Sequence, residues 1–209
     1  LLTMGSRARA IWKGKSVGHI ELQVPGHHNL LNAAGVLATG LKLGFPPAEL
    51  LTGLGNFRGT GRRFEVKGTV HGIRVIDDYG HHPTEVRVTL ETAKRYVQSG
   101  RVIAIFQPHR YSRTAMFVQE FAEVLALADQ VYLLEIYAAS EAAIPGVSSI
   151  LIANAMPQEK VTFEPSMIDV VSSAVGEAKS GDLIITLGAG DVNLLVPLIL
   201  QMLEEKIAD

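Results

Sequence analysis

Hydrophobic and polar positions change their period along this chain, and each change predicts an element. Residues 1–24 read as a β-ribbon, in which Ala10-Ile11-Trp12 and Ile20-Glu21-Leu22-Gln23-Val24 flank a turn-like Lys13-Gly14-Lys15. Pro25-Gly26 ends it. From Asn29 to Leu43 apolar residues recur at helical spacing, at Leu30, Ala33, Ala34, Leu37 and Leu41. Pro46-Pro47 breaks that helix and starts a short second one through Leu54. Gly55 to Gly61 is glycine-rich and predicts a domain boundary, with residues 1–58 on one side and 59–209 on the other.

Beyond Arg62 the pattern is different. Phe64-Glu65-Val66-Lys67 and Ile73-Arg74-Val75-Ile76 read as strands, with Gly68 and Gly72 bounding the turn between them. Val102–Phe106, Val131–Leu134 and Leu183–Leu187 are continuous apolar runs, as expected of strands buried on both faces. Helical patterns alternate with them: one after Pro83, then about 114–127, 168–179 and 193–206. The alternation predicts an α/β fold with a doubly wound, mostly parallel sheet.

In such a sheet ligands bind beyond the carboxyl ends of the strands. Asp77, Asp78, Tyr79, His81 and His82 follow the strand ending at Ile76. Gln107, Pro108, His109, Arg110, Tyr111, Ser112 and Arg113 follow Phe106; Glu135 and Tyr137 follow Leu134; Gly188-Ala189-Gly190-Asp191 follows Leu187. The concentrated polar chemistry thus falls on one edge of the sheet, which packing alone does not require.

Composition narrows the function classes. Of 209 residues 47% are hydrophobic, enough for a sizeable core, and a net charge of −2 gives no polyanion-binding surface, so nucleic acid is a poor partner. With no cysteine there is no disulfide or thiolate metal site. No apolar run is long enough to span a bilayer and the start lacks a signal-peptide pattern, so a soluble, cytoplasmic protein is expected. The opening Leu1-Leu2-Thr3 carries no initiator Met and points to a processed or excised piece.

Within that edge, Pro83 suits the first position of a helix. His81 and His82 then stand beside a helix N-terminus, whose free N–H groups favour anions, although either could instead cap the helix or pack. The adjacent histidines are badly spaced for a shared metal ion, and no metal site is expected. Arg110 and Arg113, three apart, can project together and with His109 make an anion clamp, unless they are simply solvated. Gly188-Ala189-Gly190-Asp191 is either a tight packing turn or a phosphate contact, while no GxxxxGK[ST] phosphate loop occurs anywhere. In Pro25–Asn32, Asn29 reads best as a helix N-cap, and Asn32 is open to an adenine contact. Arg62-Arg63 could hold phosphates or stack on a base.

Together GHHNLLNAAGVLA, GRRFEVKG, DDYGHHPTE, FQPHRYSRT, EIYAASEAAIPGVS and LGAGD resemble, in order and spacing, the Mur ligases of peptidoglycan synthesis. The resemblance covers essentially the whole chain. It implies an ATP-dependent amide ligase that joins L-alanine to UDP-N-acetylmuramate through an acyl phosphate. Residues 1–58 would be the tail of a central ATP-binding domain, and 59–209 a complete Rossmann-like C-terminal domain. The phosphate loop, the Mg²⁺ ligands and the UDP-sugar domain of such enzymes have no counterpart here. ATP and Mg²⁺ are therefore expected of a full-length enzyme, and neither tight cofactor binding nor activity of this chain alone. Carried over residue by residue, Asn32 would contact adenine, Arg63 the nucleotide and Asp78 its ribose. Tyr79, His81, His109, Arg110 and Arg113 would line the amino-acid and acyl-phosphate site. Two alternatives stay open: a recycling ligase adding a tripeptide to the same sugar, against which Tyr79-Gly80 speaks, and a non-catalytic nucleotide- or amino-acid-binding module. Loss of a central-domain partner would also expose an apolar patch on residues 1–58 and favour self-association.

Overall fold

The computed structural model describes residues 5–206, so residues 1–4 of the predicted ribbon lie outside the described part. The chain divides into two compact units, residues 1–61 and 62–209.

In the first unit β1 (Ser6–Trp12) and β2 (Lys15–Leu22) pair antiparallel, with Trp12 opposite Lys15. Lys13 and Gly14 both have positive φ, 48° and 79°, the mirror-image turn that suits the strands' twist. The turn is thus one residue shorter than the sequence predicts, because Lys15 already belongs to β2. Helices α1 (His27–Lys42) and α2 (Pro47–Gly55) close over the hairpin. They bury Ala33 and Leu37 with Ala10, Ile20, Leu22 and Val24. Asn29 is not the N-cap. The helix starts two residues earlier, with Gly26 at the cap, and the Asn29 amide donates back to the Pro25 carbonyl at 2.7 Å.

The second unit is a three-layer α/β/α sandwich. Its sheet has the order β3-β4-β8-β5-β6-β7. These are Glu65–Val70, Ile73–Asp78, Leu183–Leu187, Val102–Phe106, Gln130–Leu133 and Val161–Phe163. β3 pairs antiparallel with β4, and every other pairing is parallel. The two-residue period of a strand sorts the core. Val102, Ala104 and Phe106 face α3 (Pro83–Val97) and α5 (Val118–Leu125), while Ile103 and Ile105 face α7 (Met167–Glu177) and α8 (Leu195–Glu205). Both faces are covered, as the unbroken apolar runs require.

Several local expectations are corrected. Asp77 and Asp78 do not begin a loop but end β4, with Asp77 opposite Glu65 and Thr186. Gly68 lies inside β3 beside a register shift, where a Cβ would stand 2.9 Å from Leu200 Cδ2, and the turn is His71-Gly72. The helix expected over 114–127 is two, α4 (Tyr111–Met116) and α5, broken where Phe117 leaves helical geometry and turns its ring to His82, 4.9 Å away. β7 and α6 (Ile150–Ala155) were not predicted, being too short to display a period.

Phe106 is fully buried at the carboxyl end of a central strand. Phe106→Ala should cost about 3–5 kcal/mol, from lost transfer energy plus the cavity left. Urea unfolding followed by circular dichroism should show a lower midpoint with an unchanged slope.

Candidate active site at the carboxyl edge of the sheet

Four strand ends build this edge, and Arg62 ties three of the connecting segments together. Its Nε donates to Asp77 Oδ2 at 3.0 Å, Nη2 to the Gly188 carbonyl at 2.6 Å and Nη1 to the Gly190 carbonyl at 3.3 Å. Its backbone accepts the Tyr79 N–H at 2.8 Å, and its guanidinium lies 4.9 Å from the Tyr79 ring centre. Asp77 is buried, and its other oxygen accepts from Thr186 Oγ1 at 2.7 Å. Arg62 therefore points inward with Nε, Nη1 and Nη2 all engaged by protein oxygens, and the Gly188–Gly190 turn presents carbonyls to it. A Cβ on Gly190 would collide with Gln107 Oε1 and stand 2.6 Å from Tyr137 Cγ, so close packing sets that glycine.

Asp78 is buried with both oxygens engaged. Oδ1 accepts from Gly80 N at 2.7 Å and Thr89 Oγ1 at 3.1 Å, and Oδ2 from Phe64 N at 2.7 Å. Burial raises its pKa, against the lowering effect of these donors and of Arg63. In this structure Asp78 organises the loop that carries Tyr79 and His81.

The next turn is fixed by the start of α3. Pro83 is its first residue, and His82 Nδ1 accepts the Thr84 N–H at 3.3 Å. Glu85 Oε2 accepts the N–H groups of His81 and His82 at 3.1 and 3.2 Å. Burial raises the Glu85 pKa, but these donors together with His81 and Arg63 hold it below the ordinary carboxylate value. His82 is thus the capping histidine. His81 is the one presented to the site, with Nδ1 3.0 Å from the Tyr79 carbonyl oxygen and 3.4 Å from Glu85 Oε2. Arg63 is half exposed, 3.7 Å from Glu85 and 5.7 Å from the Tyr79 ring centre.

Across the cleft the segments after β5 and β6 are zipped together. Tyr137 N donates to the Pro108 carbonyl at 2.8 Å, and Arg110 N to the Tyr137 carbonyl at 2.9 Å. His109 stacks on Tyr137 at 5.7 Å with 14° between the planes, and lies 5.6 Å from His81, which meets Tyr79 edge-on at 5.3 Å. Four rings therefore run in series along the edge, Tyr79, His81, His109 and Tyr137.

Arginines flank the series, though not as a matched pair. Arg113 Nη1 donates to His109 Nδ1 at 3.1 Å, whereas Arg110 is half exposed and 3.9 Å from Glu141. Glu141 also accepts from the Ser112 N–H at 3.0 Å and hydroxyl at 2.6 Å. The expected clamp thus has an acidic neighbour brought from 29 residues away. Burial, then Arg113, His81 and Arg110, push the His109 pKa below its ordinary 6.5, with Glu141 opposing them. Backbone strain gathers here too, with positive φ at Arg62, Phe64, Arg110, Ala139 and Ser140.

The second unit thus brings together Tyr79, His81, His109, Arg110 and Arg113, with Arg63 and Asp78 beside them. Asn32 belongs to the first unit, exposed on α1 and lining an open apolar groove of about 680 Å³ with Val36, Leu43, Phe45 and Leu50. Among the described residues no three His, Asp or Glu are placed to hold a metal ion. No phosphate-loop sequence GxxxxGK[ST] occurs in the chain. Sequence reasoning missed the roles of Arg62, Glu85, Gln107 and Glu141. Glu85 carries a local signal, an acid three residues after a helix cap. Gln107, which bonds Asp191 at 2.7 Å and the Val192 N–H at 3.2 Å, is marked by its position at a strand end. Arg62 and Glu141 have no local signal.

Residues 62–190 match the profile of the Mur ligase glutamate ligase domain. A UDP-N-acetylmuramate–L-alanine ligase of Acidothermus cellulolyticus is 46% identical over 97% of this chain, which spans 43% of that protein. A ligase of the same name from Mycolicibacterium smegmatis is 47% identical over 90% of the chain, which spans 39% of it. The crystal structure of UDP-N-acetylmuramate–alanine ligase from Thermotoga maritima superposes with a TM-score of 0.81 at 29% identity, over 97% of this chain and 44% of that one. A murein peptide ligase from Psychrobacter arcticus shares the fold, with a TM-score of 0.70 at 24% identity over 99% of this chain and 43% of that one.

Two measurements check the site's electrostatics. Arg62→Met leaves the Asp77 carboxylate buried without its cation and should cost about 3–5 kcal/mol in urea unfolding. Because the folded pKa of His109 is depressed, its contribution to stability is fully present above about 6.5 and is lost as pH falls through the lowered value. An NMR titration of His109 should give a midpoint below that of free histidine.

Proposed function

This chain belongs to the Mur ligase family, and from that premise we propose that it supplies the amino-acid-accepting portion of an ATP-dependent ligase. That ligase joins L-alanine to UDP-N-acetylmuramate in the cytoplasmic stage of peptidoglycan synthesis. The observation that carries this reading is the coincidence of two independent facts. Relatives near 46% identity are named for that reaction, and the chain's own site offers arginine cations and two imidazoles at one strand edge. The chain spans only about two fifths of those relatives, so the reaction is proposed for a longer enzyme that contains such a portion.

In this reading residues 1–58 are the tail of the central ATP-binding domain and 59–209 the C-terminal domain. Arg110 is the exposed cation for the alanine carboxylate, and Arg113, held by His109, completes the positive wall. Tyr79, His81 and His109 line the place where the amine meets the acyl phosphate. In the second unit Arg63 and Asp78 serve the nucleotide, Asp78 chiefly by shaping its loop; for the first unit, taken by itself, Asn32 is the residue proposed for adenine. The phosphates of ATP and their Mg²⁺ are held elsewhere in the longer enzyme, for this chain carries no phosphate-loop sequence. The exposed apolar residues Leu31, Val36, Leu43 and Phe45 give the chain on its own a surface for self-association.

The alternative of a tripeptide-adding recycling ligase is disfavoured by Tyr79-Gly80 and by the alanine-ligase name that the relatives near 46% identity carry. A fusion of this chain to the upstream part of the Acidothermus relative provides the test, with phosphate release as the readout. L-alanine should support turnover with UDP-N-acetylmuramate and ATP, and the tripeptide should not; exclusive use of the tripeptide would sink the alanine reading. The chain alone should release no phosphate. Arg110→Met in the fusion should raise the KM for alanine roughly tenfold to a hundredfold, the value of one hydrogen bond to a charged group.

A further inference from the structure

Two histidines at the centre of the ring series are held in opposite tautomers, and the groups that hold them are unambiguous. A guanidinium has donors only, so the Arg113 Nη1 contact of 3.1 Å makes His109 Nδ1 an acceptor. The proton of a neutral His109 is therefore on Nε2. A carbonyl oxygen accepts only, so the 3.0 Å contact to Tyr79 O puts a proton on His81 Nδ1, and in the neutral ring the lone pair is then on Nε2. Side by side, with ring centres 5.6 Å apart, His81 offers an acceptor and His109 a donor.

The charges around each ring reinforce the division. His81 meets Tyr79 and His109, and from α3 the Glu85 carboxylate stands 3.4 Å behind Nδ1, on the far side of the ring from Nε2. A carboxylate there offsets the positive charge the ring acquires once Nε2 takes a proton, the arrangement of an imidazole base with an orienting acid. His109 meets Arg113 from α4 and Arg110 just before it, His81 across the cleft, and Tyr137 and Glu141 from the segment after β6. Three cationic or ionisable nitrogen groups against one acid disfavour a second proton on His109.

We propose that His81 is the base of the amide-forming step, with His109 as its neutral partner donor and with Arg113 and Glu85 as positioning residues. This rests on the ligase reading above. The amino group enters as the free amine; its nitrogen lone pair attacks the carbonyl carbon of the acyl phosphate, a C–N bond forms and the C=O π pair moves onto the oxygen. The nitrogen then sheds a proton to His81 Nε2, and the C–O bond to phosphorus's oxygen breaks with its electron pair leaving on inorganic phosphate. His109 Nε2–H donates a hydrogen bond to the oxygen on which charge develops. Arg113 thereby acquires a role distinct from gripping a carboxylate, since it keeps its neighbour's proton on the nitrogen that faces the reaction.

The tautomers are testable on this chain without any ligase activity. Histidine-selective ¹⁵N NMR at pH 7.5 should find His81 protonated at Nδ1 and bare at Nε2, and His109 the reverse. Arg113→Met should abolish the His109 preference and leave that of His81. A wild-type His109 protonated at Nδ1, or a His81 bare at Nδ1, overturns the proposal irrespective of the substrate. In the fusion that turns over alanine, His81→Gln should lower kcat roughly 10²–10⁴-fold, with little change in the KM for alanine and loss of the acidic limb of the pH–kcat profile. A His81→Gln enzyme that keeps the wild-type kcat and profile overturns the base assignment while leaving the ligase reading intact.

Discussion

The ion pair between Arg62 and Asp77 is the constraint on which the carboxyl edge of the second unit's sheet depends. A buried carboxylate is tolerable only when paired and fully hydrogen-bonded. Asp77 meets that condition with Arg62 on one oxygen and Thr186 on the other. Arg62 then spends its remaining donors on the carbonyls of Gly188 and Gly190, and its own carbonyl receives Tyr79. One side chain thus fixes the chain leading into β3, the end of β4 and the turn after β8. The planar guanidinium suits this because its donors radiate in fixed directions, which an ammonium cannot match.

From that frame the site follows by successive local bonds. Asp78 holds the Tyr79–Gly80 turn, Glu85 ties the backbone of His81 and His82 to the start of α3, and the segments after β5 and β6 are joined by Tyr137 and Arg110. The rings of Tyr79, His81, His109 and Tyr137 are consequently delivered by three different segments yet lie in one row. Positive φ at Arg62, Phe64, Arg110, Ala139 and Ser140 shows where backbone strain is accepted to reach that row. The opposite edge of the sheet is held by Arg101 and Asp182 at 2.8 Å.

The legibility of this protein in its sequence was uneven for physical reasons. The apolar runs at Val102–Phe106 and Leu183–Leu187 announce strands covered on both faces, because nothing else buries every consecutive residue. Pro83 announces the start of α3 because only there is its missing N–H harmless. Short elements such as β7 and α6 carry no period and are not announced. Asn29 was misplaced as a cap because its amide finds the Pro25 carbonyl instead, a choice between two local bonds that spacing cannot make.

The sequence by itself determined the fold class, the longer strands and helices, and the edge at which polar residues collect, since these depend on periodicity and on residues near one another in the chain. Only the tertiary structure decided which of those polar groups face each other. Arg62 reaches Gly188 across 126 positions, Glu141 reaches Ser112 across 29, and the row from Tyr79 to Tyr137 exists only because β8 lies between β4 and β5. The proton positions on His81 and His109 belong to the same class. A histidine's tautomer is set by whether its neighbour can only accept or only donate, and the residue supplying that neighbour is known once the chain has folded.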